Sequence, residues 1–417
     1  MKVIAIFLMS MFSMLSVSAN ENDTTDCKHW SVGLTVQPGW VIGADQYVRK
    51  WLRGNFAIAF DAAVRYAVLP RDSDAYAKDF GYPALSVGLK YALNHGVTMR
   101  REKDAAWGLL QPVDYTSRLG NTVTVYAMFE RAILRTPHWQ IDYTLATGVG
   151  YTKSKYNTYN AIDNEFIGSR WLIYFGAGAH ATYYLDRAWG VRAGVDFYHH
   201  SNGAMNRPNK GVNVLGPSVG VVYEPYHDEL ARSGKPCVRQ PFTPFSFMDF
   251  TFSVGVKTLH EDWQLTQFRT PPGAPNYRTP NFKVYPTYSL QTSFMRRYAR
   301  RWASGIGVDV FLVSYANRVR QLDERDGLRL KHSPWSMGVS GKHRVYYHNL
   351  SLDMSLGYYL FRALGDNANK VETPYYEQIG VHYTFTKLKC LNIGINIKAH
   401  KTKADYTELA LSMPMRL

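Results

Sequence analysis

The chain has 417 residues, 48 Lys+Arg against 33 Asp+Glu, a formal net charge of +15 and 46% hydrophobic residues. Apolar and aromatic side chains are too abundant for a disordered chain, and three Cys are too few for a disulfide-stapled scaffold. A mean hydropathy of −0.28 excludes a bundle of membrane helices.

The first nineteen residues have the pattern of a secretory signal peptide. Lys2 gives a positive start, an apolar stretch runs from Val3 to about Val17, and small residues end at Ala19. The apolar part is shorter than the roughly 20 residues that a membrane-spanning helix needs. We therefore expect export and cleavage of residues 1–19, which leaves a soluble periplasmic β protein or an outer-membrane barrel.

After Trp30 the chain repeatedly shows segments of about ten to fourteen residues in which apolar and polar side chains alternate. Examples are Trp171–Leu185, Leu350–Leu360 and Leu391–Ala399. Strands of soluble sandwiches typically have about five or six residues, whereas strands that cross a membrane have about ten. The pattern predicts an all-β fold, an antiparallel transmembrane β-barrel of the outer membrane with about 12–16 strands.

The connections between the predicted strands alternate between short turns and long polar loops, as periplasmic turns and extracellular loops do. Two connections, Leu69–Tyr82 and Glu224–Phe247, are long where short ones are expected. The second is Pro-rich and is either a linker between two eight-stranded halves or an insertion in one larger barrel. We prefer the single barrel.

A candidate catalytic group lies in the run from Phe197 to Asn213. Residues two apart on a strand point to the same face, so His199 and Ser201 are neighbours, within reach for a base to take a hydroxyl proton. The alternation places both on the outward row of the barrel, whereas His200 faces the lumen. On the returning strand, Asn213 lies on the same outward row beside His199.

A Ser-His-Asn group at the outer, long-loop end of a barrel predicts a serine esterase that acts on the acyl ester of a membrane lipid. Polar groups that face lipid are costly and call for a functional explanation. The alternative is a solvated loop with an Asx turn at Asn202–Gly203. The histidines show no metal-ligand spacing, so neither a metal nor another cofactor is expected.

The run His199–Asn202, followed by Pro208–Asn213, resembles the outer-membrane lipid A 3-O-deacylase family, the PagL-type acyloxyacyl hydrolases. It is especially similar to the longer Bacteroidetes members. The resemblance is clearest over about Leu119–Pro225, and the remainder matches in general barrel character only.

The resemblance implies that Ser201 is the nucleophile and His199 the general base. Asn202 and Gly203 would form the oxyanion hole. Asn213 stands where characterised members commonly have Glu; an amide holds an imidazole in position but does not stabilise imidazolium by charge. The implied substrate is lipid A, the lipid part of lipopolysaccharide, in the outer membrane.

Two basic residues near Ser201 are candidates for binding the phosphate groups of the substrate. Arg207 and Lys210 lie in the same loop as Ser201 and could hold a lipid A phosphate, or they could simply solvate the loop. A basic chain would also suit nucleic acid, but export makes that partner improbable, so none is expected. The acyl chain removed and the oligomeric state stay open.

Two further interpretations remain after the deacylase. Outer-membrane phospholipase A, a calcium-dependent dimeric enzyme family, resembles the same His-x-Ser-Asn-Gly element with an Asn twelve residues after Ser201. Its Ser-Arg-Ser-Trp-Asn run is replaced here by Lys210–Asn213, which ranks it second. The other interpretation, ranked third, is a non-catalytic porin or transport barrel.

The expected organisation follows the chain in order. It comprises a signal peptide at 1–19, a periplasmic segment at 20–29, a deacylase-like barrel half with the active site at 30–225, a Pro-rich periplasmic connection at 226–246 and further barrel strands at 247–417. Cys27 and Cys237 are both expected on the periplasmic side, where they could pair, and Cys390 would be left over.

Overall fold

A computed structural model describes residues 29–43, 46–104, 113–233, 241–388, 391–401 and 403–417. The expected signal peptide and nearly all of the segment 20–29 lie outside these residues. So do Cys27, Cys237 and Cys390, and with them the possible pairing of the first two.

The described chain forms two sets of antiparallel strands. The N-terminal set is β1 (Trp30–Val41), β2 (Leu52–Ala67), β3 (Ala84–Met99), β4 (Ser117–Arg118), β5 (Thr122–Arg135), β6 (Trp139–Thr152), β7 (Trp171–Tyr184), β8 (Trp189–Ser201) and β9 (Val212–Tyr223). The C-terminal set is β10 (Phe245–Thr258), β11 (Val284–Ala299), β12 (Trp302–Val313), β13 (His332–Tyr347), β14 (Leu350–Leu364), β15 (Tyr375–Phe385), β16 (Leu391–His400) and β17 (Lys403–Arg416).

Each set closes on itself. The N-terminal sheet has the order β2-β1-β9-β8-β7-β6-β5-β3-β4, and a β2–β3 pairing closes eight of its strands into a barrel, with the short β4 attached to β3 alone. Strands β10 to β17 close in chain order. Closure gives the edge strands of each set backbone hydrogen-bond partners, since β9 pairs with β1 and β17 pairs with β10.

The all-β, antiparallel barrel fold class is therefore confirmed, and the sixteen barrel strands fall within the expected number. The preference for one large barrel is wrong, because β9 pairs with β1 rather than with β10. The connection Glu224–Phe247 links two barrels of eight strands.

The two faces of the strands have opposite character. Outward residues are apolar and exposed, for example Val125, Val195 and Leu290, which are 56%, 52% and 56% accessible. Inward residues include buried charges that pair across the lumen, such as Arg192 with Glu130 at 2.9 Å. An apolar exterior around a polar interior is the pattern of a transmembrane barrel.

Short helices lie between the strands. They are α1 (Gln46–Trp51), α2 (Ala75–Phe80), α3 (His227–Arg232), α4 (His260–Gln264), α5 (Ala316–Arg325) and α6 (Gly365–Lys370), with 3₁₀ turns at Pro70–Asp72 and Thr386–Leu388 and a π-helical turn at Leu265–Arg269. No helix in the described ranges is long and apolar enough to span a bilayer.

The two barrels contact each other at both ends. We call the end that carries the connections after β3, β6 and β8 the long-loop end, and the opposite end the short-turn end. At the short-turn end, helix α2 of the first barrel packs on the second barrel. Arg301 Nη1 donates to Asp79 O at 2.5 Å, and Arg297 Nη2 donates to the Tyr76 hydroxyl at 2.9 Å. The long connection 69–82 therefore joins the barrels.

Helix α3 closes the short-turn end of the first barrel through His227. The His227 ring stacks on Tyr184 at 3.4 Å, and Nε2–H donates to Thr136 O at 2.9 Å. Its Nδ1 is buried and has no hydrogen-bond partner within the described residues, so protonation there would bury an unpaired charge. Burial lowers the pKa of His227 to about 4, from its ordinary value of 6.5.

We expect the stability of this barrel to depend on His227 between pH 6.5 and 4. In that range the unfolded chain binds the proton more tightly than the folded one. The contribution is therefore complete above pH 6.5 and is lost as the pH falls through this window. The measurement is the unfolding temperature of the full chain at pH 7.5 and about pH 4.5, compared with His227→Gln. An equal loss of stability on acidification in both proteins would contradict the assignment.

Candidate active site

The end of β8 carries the candidate site, and its two faces differ sharply. His200 is 2% exposed, faces the interior and bonds Thr124 Oγ1 through Nε2 at 2.8 Å. Its neighbours His199 and Ser201 point the other way, on the row that contains the exposed Val191 and Val195. The twofold period of the strand thus separates the two adjacent histidines into different environments.

His199 lies directly opposite Asn213 in the β8–β9 ladder. The His199 Nδ1 and Asn213 Oδ1 atoms are 2.7 Å apart. An amide oxygen only accepts hydrogen bonds, so Nδ1 carries the proton. This leaves His199 Nε2 unprotonated in the neutral ring, the form that can accept a proton from a hydroxyl.

Gly211 allows the backbone to approach the His199 ring closely. Its φ of +72° is left-handed, and a Cβ at this position would lie 2.5 Å from His199 Cε1. A side chain here would push the imidazole away from its place, so glycine at 211 helps to keep the ring against Asn213.

Ser201 is the last residue of β8, pairs with Ile173 across the ladder and is 6% exposed. It shares the outward face of His199, but in the described structure the two side chains form no hydrogen bond. Catalytic hydrogen bonds often tighten only when substrate is bound. The alternation of β8 therefore places the two side chains on one face, two residues apart.

The chain turns sharply after Ser201. Gly203 and Ala204 both have left-handed backbone, with φ of +58° and +65°. The backbone N–H of Asn202 donates to Asn209 Oδ1 at 2.8 Å. Asn202 directly follows Ser201, and its Nδ2 is buried and has no hydrogen-bond partner among the described residues.

The loop 153–168 belongs to the first barrel and packs against the turn that follows Ser201. Asn206 Nδ2 donates to Gly168 O at 2.8 Å, and Gly211 N donates to Phe166 O at 3.1 Å. A Cβ on Gly168 would lie 2.4 Å from Arg207 O, so the two loops touch through their backbones. The sequence predicts a long polar loop at 153–168 but not its contact with this turn, because no short-range pattern marks a long-range contact.

The second barrel packs on the other side of the same turn. Thr407 Oγ1 donates to Gly203 O at 3.0 Å. Thr258 donates to Ala204 O through its backbone N at 2.9 Å and through Oγ1 at 3.0 Å. These contacts, too, were not expected from the sequence, since Thr258 and Thr407 lie far along the chain in strands of ordinary pattern.

The expectation that Arg207 binds a substrate phosphate is not supported by its position. Arg207 is 9% exposed, and its Nε and Nη2 donate to Thr258 O at 3.0 and 2.9 Å. Its guanidinium therefore takes part in the contact between the two barrels. Lys210 pairs with Glu165 at 3.4 Å, which balances its charge.

A group of metal-ligating side-chain types lies apart from this site, in the second barrel. Donor atoms of Glu372, His400 and Asp405 lie within 4.8 Å of one another. Lys257 and Lys398 both pair with Asp405, and Arg362 pairs with Glu372. Three cations against two carboxylates leave a positive surplus, which disfavours binding of a further cation.

Two protein-family models match this chain. The family described as lipid A 3-O-deacylase (PagL) matches residues 82–222, and the C-terminal domain of acyloxyacyl hydrolase matches residues 246–414. The first match contains His199, Ser201 and Asn213, and the second lies within the second barrel. No curated protein matches the chain at a significant level.

Solved structures of outer-membrane proteins resemble the chain more weakly. The crystal structure of the outer membrane enzyme PagL is 12% identical, covers 46% of this chain and 98% of its own, and has a TM-score of 0.29. A mutant Rh. blastica porin is 6% identical over 93% of this chain and 99% of its own, with a TM-score of 0.17. Omp33 of Acinetobacter baumannii is 10% identical over 94% and 99%, with a TM-score of 0.15. Likenesses at this level add no argument about function.

The family matches agree with the resemblance that the residues around Ser201 suggest, and they extend over most of both barrels. Both matched families are named for the hydrolysis of acyl esters. The first barrel is therefore similar to the lipid A 3-O-deacylase (PagL) family and the second to the C-terminal domain of acyloxyacyl hydrolase, which together indicate an outer-membrane β-barrel hydrolase that acts on acyl esters.

Proposed function

We propose that this protein is a serine esterase that removes the acyl chain from the 3-position of lipid A. Ser201 is the nucleophile, His199 the general base, and Asn213 the residue that orients His199. The observation that carries the proposal is the 2.7 Å hydrogen bond from His199 Nδ1–H to Asn213 Oδ1, on the outward face that Ser201 shares.

The reaction proceeds in two acyl transfers. His199 Nε2 takes the proton of Ser201 Oγ as the oxygen attacks the ester carbonyl. Asn202 Nδ2 and the Gly203 N–H donate to the negative oxygen that forms. The protonated His199 then gives the proton to the sugar oxygen as the ester C–O bond breaks, so that the sugar leaves as the alcohol and the acyl group stays on Ser201. Water, activated by the same imidazole, releases the fatty acid and restores Ser201.

The position of these groups suits a lipid substrate. His199 and Ser201 continue the outward apolar row of β8, so an acyl chain in the membrane can lie along Phe197 and Val195 below them. The site lies at the long-loop end of the barrel, which we place at the outer leaflet, where lipopolysaccharide resides. We place the termini at the periplasmic side and retain 1–19 as a cleaved signal peptide.

A calcium-dependent phospholipase is the second candidate, because Asn213 rather than a carboxylate accepts from His199. The test uses purified full chain in vesicles that contain both lipopolysaccharide and phospholipid, with calcium or with a chelator. We expect a 3-hydroxy fatty acid from lipid A and no effect of chelation. Lysophospholipid that disappears on chelation, with lipid A intact, would replace our proposal with the phospholipase.

The role of Asn213 makes a prediction of its own. Asn213→Ala removes the acceptor that fixes the His199 tautomer, and we expect kcat to fall by about 10²-fold to 10⁴-fold. Asn213→Asp keeps the shape and adds a charge that stabilises imidazolium, so kcat should rise by about tenfold. The measurement is kcat for ester hydrolysis by folded protein. Unchanged activity in Asn213→Ala would contradict the role.

A further inference from the structure

We infer that the second barrel is a functional part of the active site, in which Thr407 and Thr258 act as positioning residues for the oxyanion turn. The inference rests on the proposed function and deepens it. It concerns the turn Asn202–Ala204, which directly follows Ser201. The first barrel supplies the reacting groups, and the second holds the turn that stabilises the charge formed during the reaction.

Thr407 is the more direct of the two contacts. It lies on the outward row of β17, beyond Leu409 and Leu411, and its hydroxyl donates to Gly203 O at 3.0 Å. A Cβ on Gly203 would lie 2.1 Å from Thr407 Oγ1 and 2.8 Å from Ile173 Cδ1. Gly203 is therefore enclosed between the two barrels, and only glycine fits there.

Thr258 holds the next residue. It is fully buried, and both its backbone N and its Oγ1 donate to Ala204 O. Its own carbonyl accepts from Arg207, so the turn is tied to the end of β10 from both sides. Ala204 is itself fully buried.

The contacts of Thr407 and Thr258 affect catalysis because they fix the backbone of the turn Asn202–Ala204. A non-glycine residue with left-handed φ, such as Ala204, is uncommon and persists where its surroundings enforce it. The peptide groups of Gly203 and Ala204 and the Asn202 amide set the direction of the donors beside Ser201. Small displacements of such donors reduce the rate strongly, whereas substrate binding elsewhere is little affected.

Thr407 could instead contribute only to the association of the two barrels. The structure offers a control that distinguishes this role from positioning of the turn. At the short-turn end, Arg297 donates to the Tyr76 hydroxyl at 2.9 Å. Tyr76→Phe removes that inter-barrel hydrogen bond at the end opposite the candidate site. If the hydroxyl of Thr407 merely joined the barrels, Tyr76→Phe and Thr407→Val would have similar consequences.

The experiment compares kcat and KM of the full chain for ester hydrolysis in wild type, Thr407→Val, Thr407→Ser and Tyr76→Phe, with thermal unfolding as the fold control. We expect Thr407→Val to lower kcat on the order of tenfold to a hundredfold with KM nearly unchanged. Thr407→Ser keeps the donor and should restore kcat to within about threefold. Tyr76→Phe should behave as wild type. If Thr407→Val does not fold, Thr258→Val is judged by the same kcat and KM criteria.

Two results would overturn the inference: wild-type kcat in Thr407→Val, or an equal loss of kcat in Thr407→Val and Thr407→Ser. Ser201→Ala is measured alongside, so that failure of the positioning role is distinguished from failure of the proposed function. If Ser201→Ala is inactive while Thr407→Val is fully active, the positioning role fails and the proposed function stands. If Ser201→Ala is fully active, the proposed function itself fails.

Discussion

Replacing Ser201 with alanine is expected to lower kcat for lipid A deacylation by about 10⁴-fold or more, with little change in KM. Alanine cannot form the acyl-enzyme, and no other hydroxyl shares the outward face with His199 at this point of β8. The measurement is release of 3-hydroxy fatty acid from lipopolysaccharide by folded, purified protein.

Ser169 supplies a matched control for that substitution. It lies at the same end of the barrel, and its hydroxyl donates to Trp171 O at 2.6 Å. Ser169→Ala should keep wild-type activity. A long-chain sulfonyl fluoride should label the wild type and Ser169→Ala but not Ser201→Ala. Labelling that persists in Ser201→Ala would show that the nucleophile is elsewhere.

Replacing His199 with alanine is expected to have the second largest effect, a loss in kcat of about 10³-fold or more. Without the imidazole, nothing takes the proton from Ser201 or delivers it to the leaving hydroxyl. Asn213 would then have no function, so Asn213→Ala should add no further loss in the His199→Ala background. The double variant tests this dependence directly.

His200 provides a control for the His199 substitution, because it is a second imidazole in the same strand. It is the next residue, but it faces the interior and bonds Thr124. His200→Gln keeps a polar side chain there and should retain kcat within a few-fold, at some cost in stability. Equal loss of activity in His199→Ala and His200→Gln would contradict the assignment of the base.

The barrel fold and the register of the site could be predicted from the sequence because both follow from a strict twofold period. That period places His199 outward and His200 inward, and it carries across the ladder to Asn213. The number of barrels could not be predicted in the same way. Strands of one sixteen-stranded barrel and of two eight-stranded barrels alternate alike, and closure depends on whether β9 meets β1 or β10.

The residues that surround the site could not be predicted from local sequence patterns either. Arg207 looked like a solvated or phosphate-binding residue, yet it is buried against Thr258 O. The contacts of Thr258 and Thr407 depend on how two closed barrels dock, which no short-range periodicity encodes. The motif Asn209-x-Gly211 did carry a signal, since Asn209 accepts from Asn202 N and Gly211 faces His199.

The measurement that tests the central claim most directly is mass spectrometry of lipid A from cells that express the wild type or Ser201→Ala at equal levels. We predict that lipid A loses one 3-hydroxyacyl chain in cells with the wild type and keeps it in cells with Ser201→Ala. Identical lipid A in the two cultures, with both proteins folded in the outer membrane, would contradict the assignment of a Ser201-dependent deacylase.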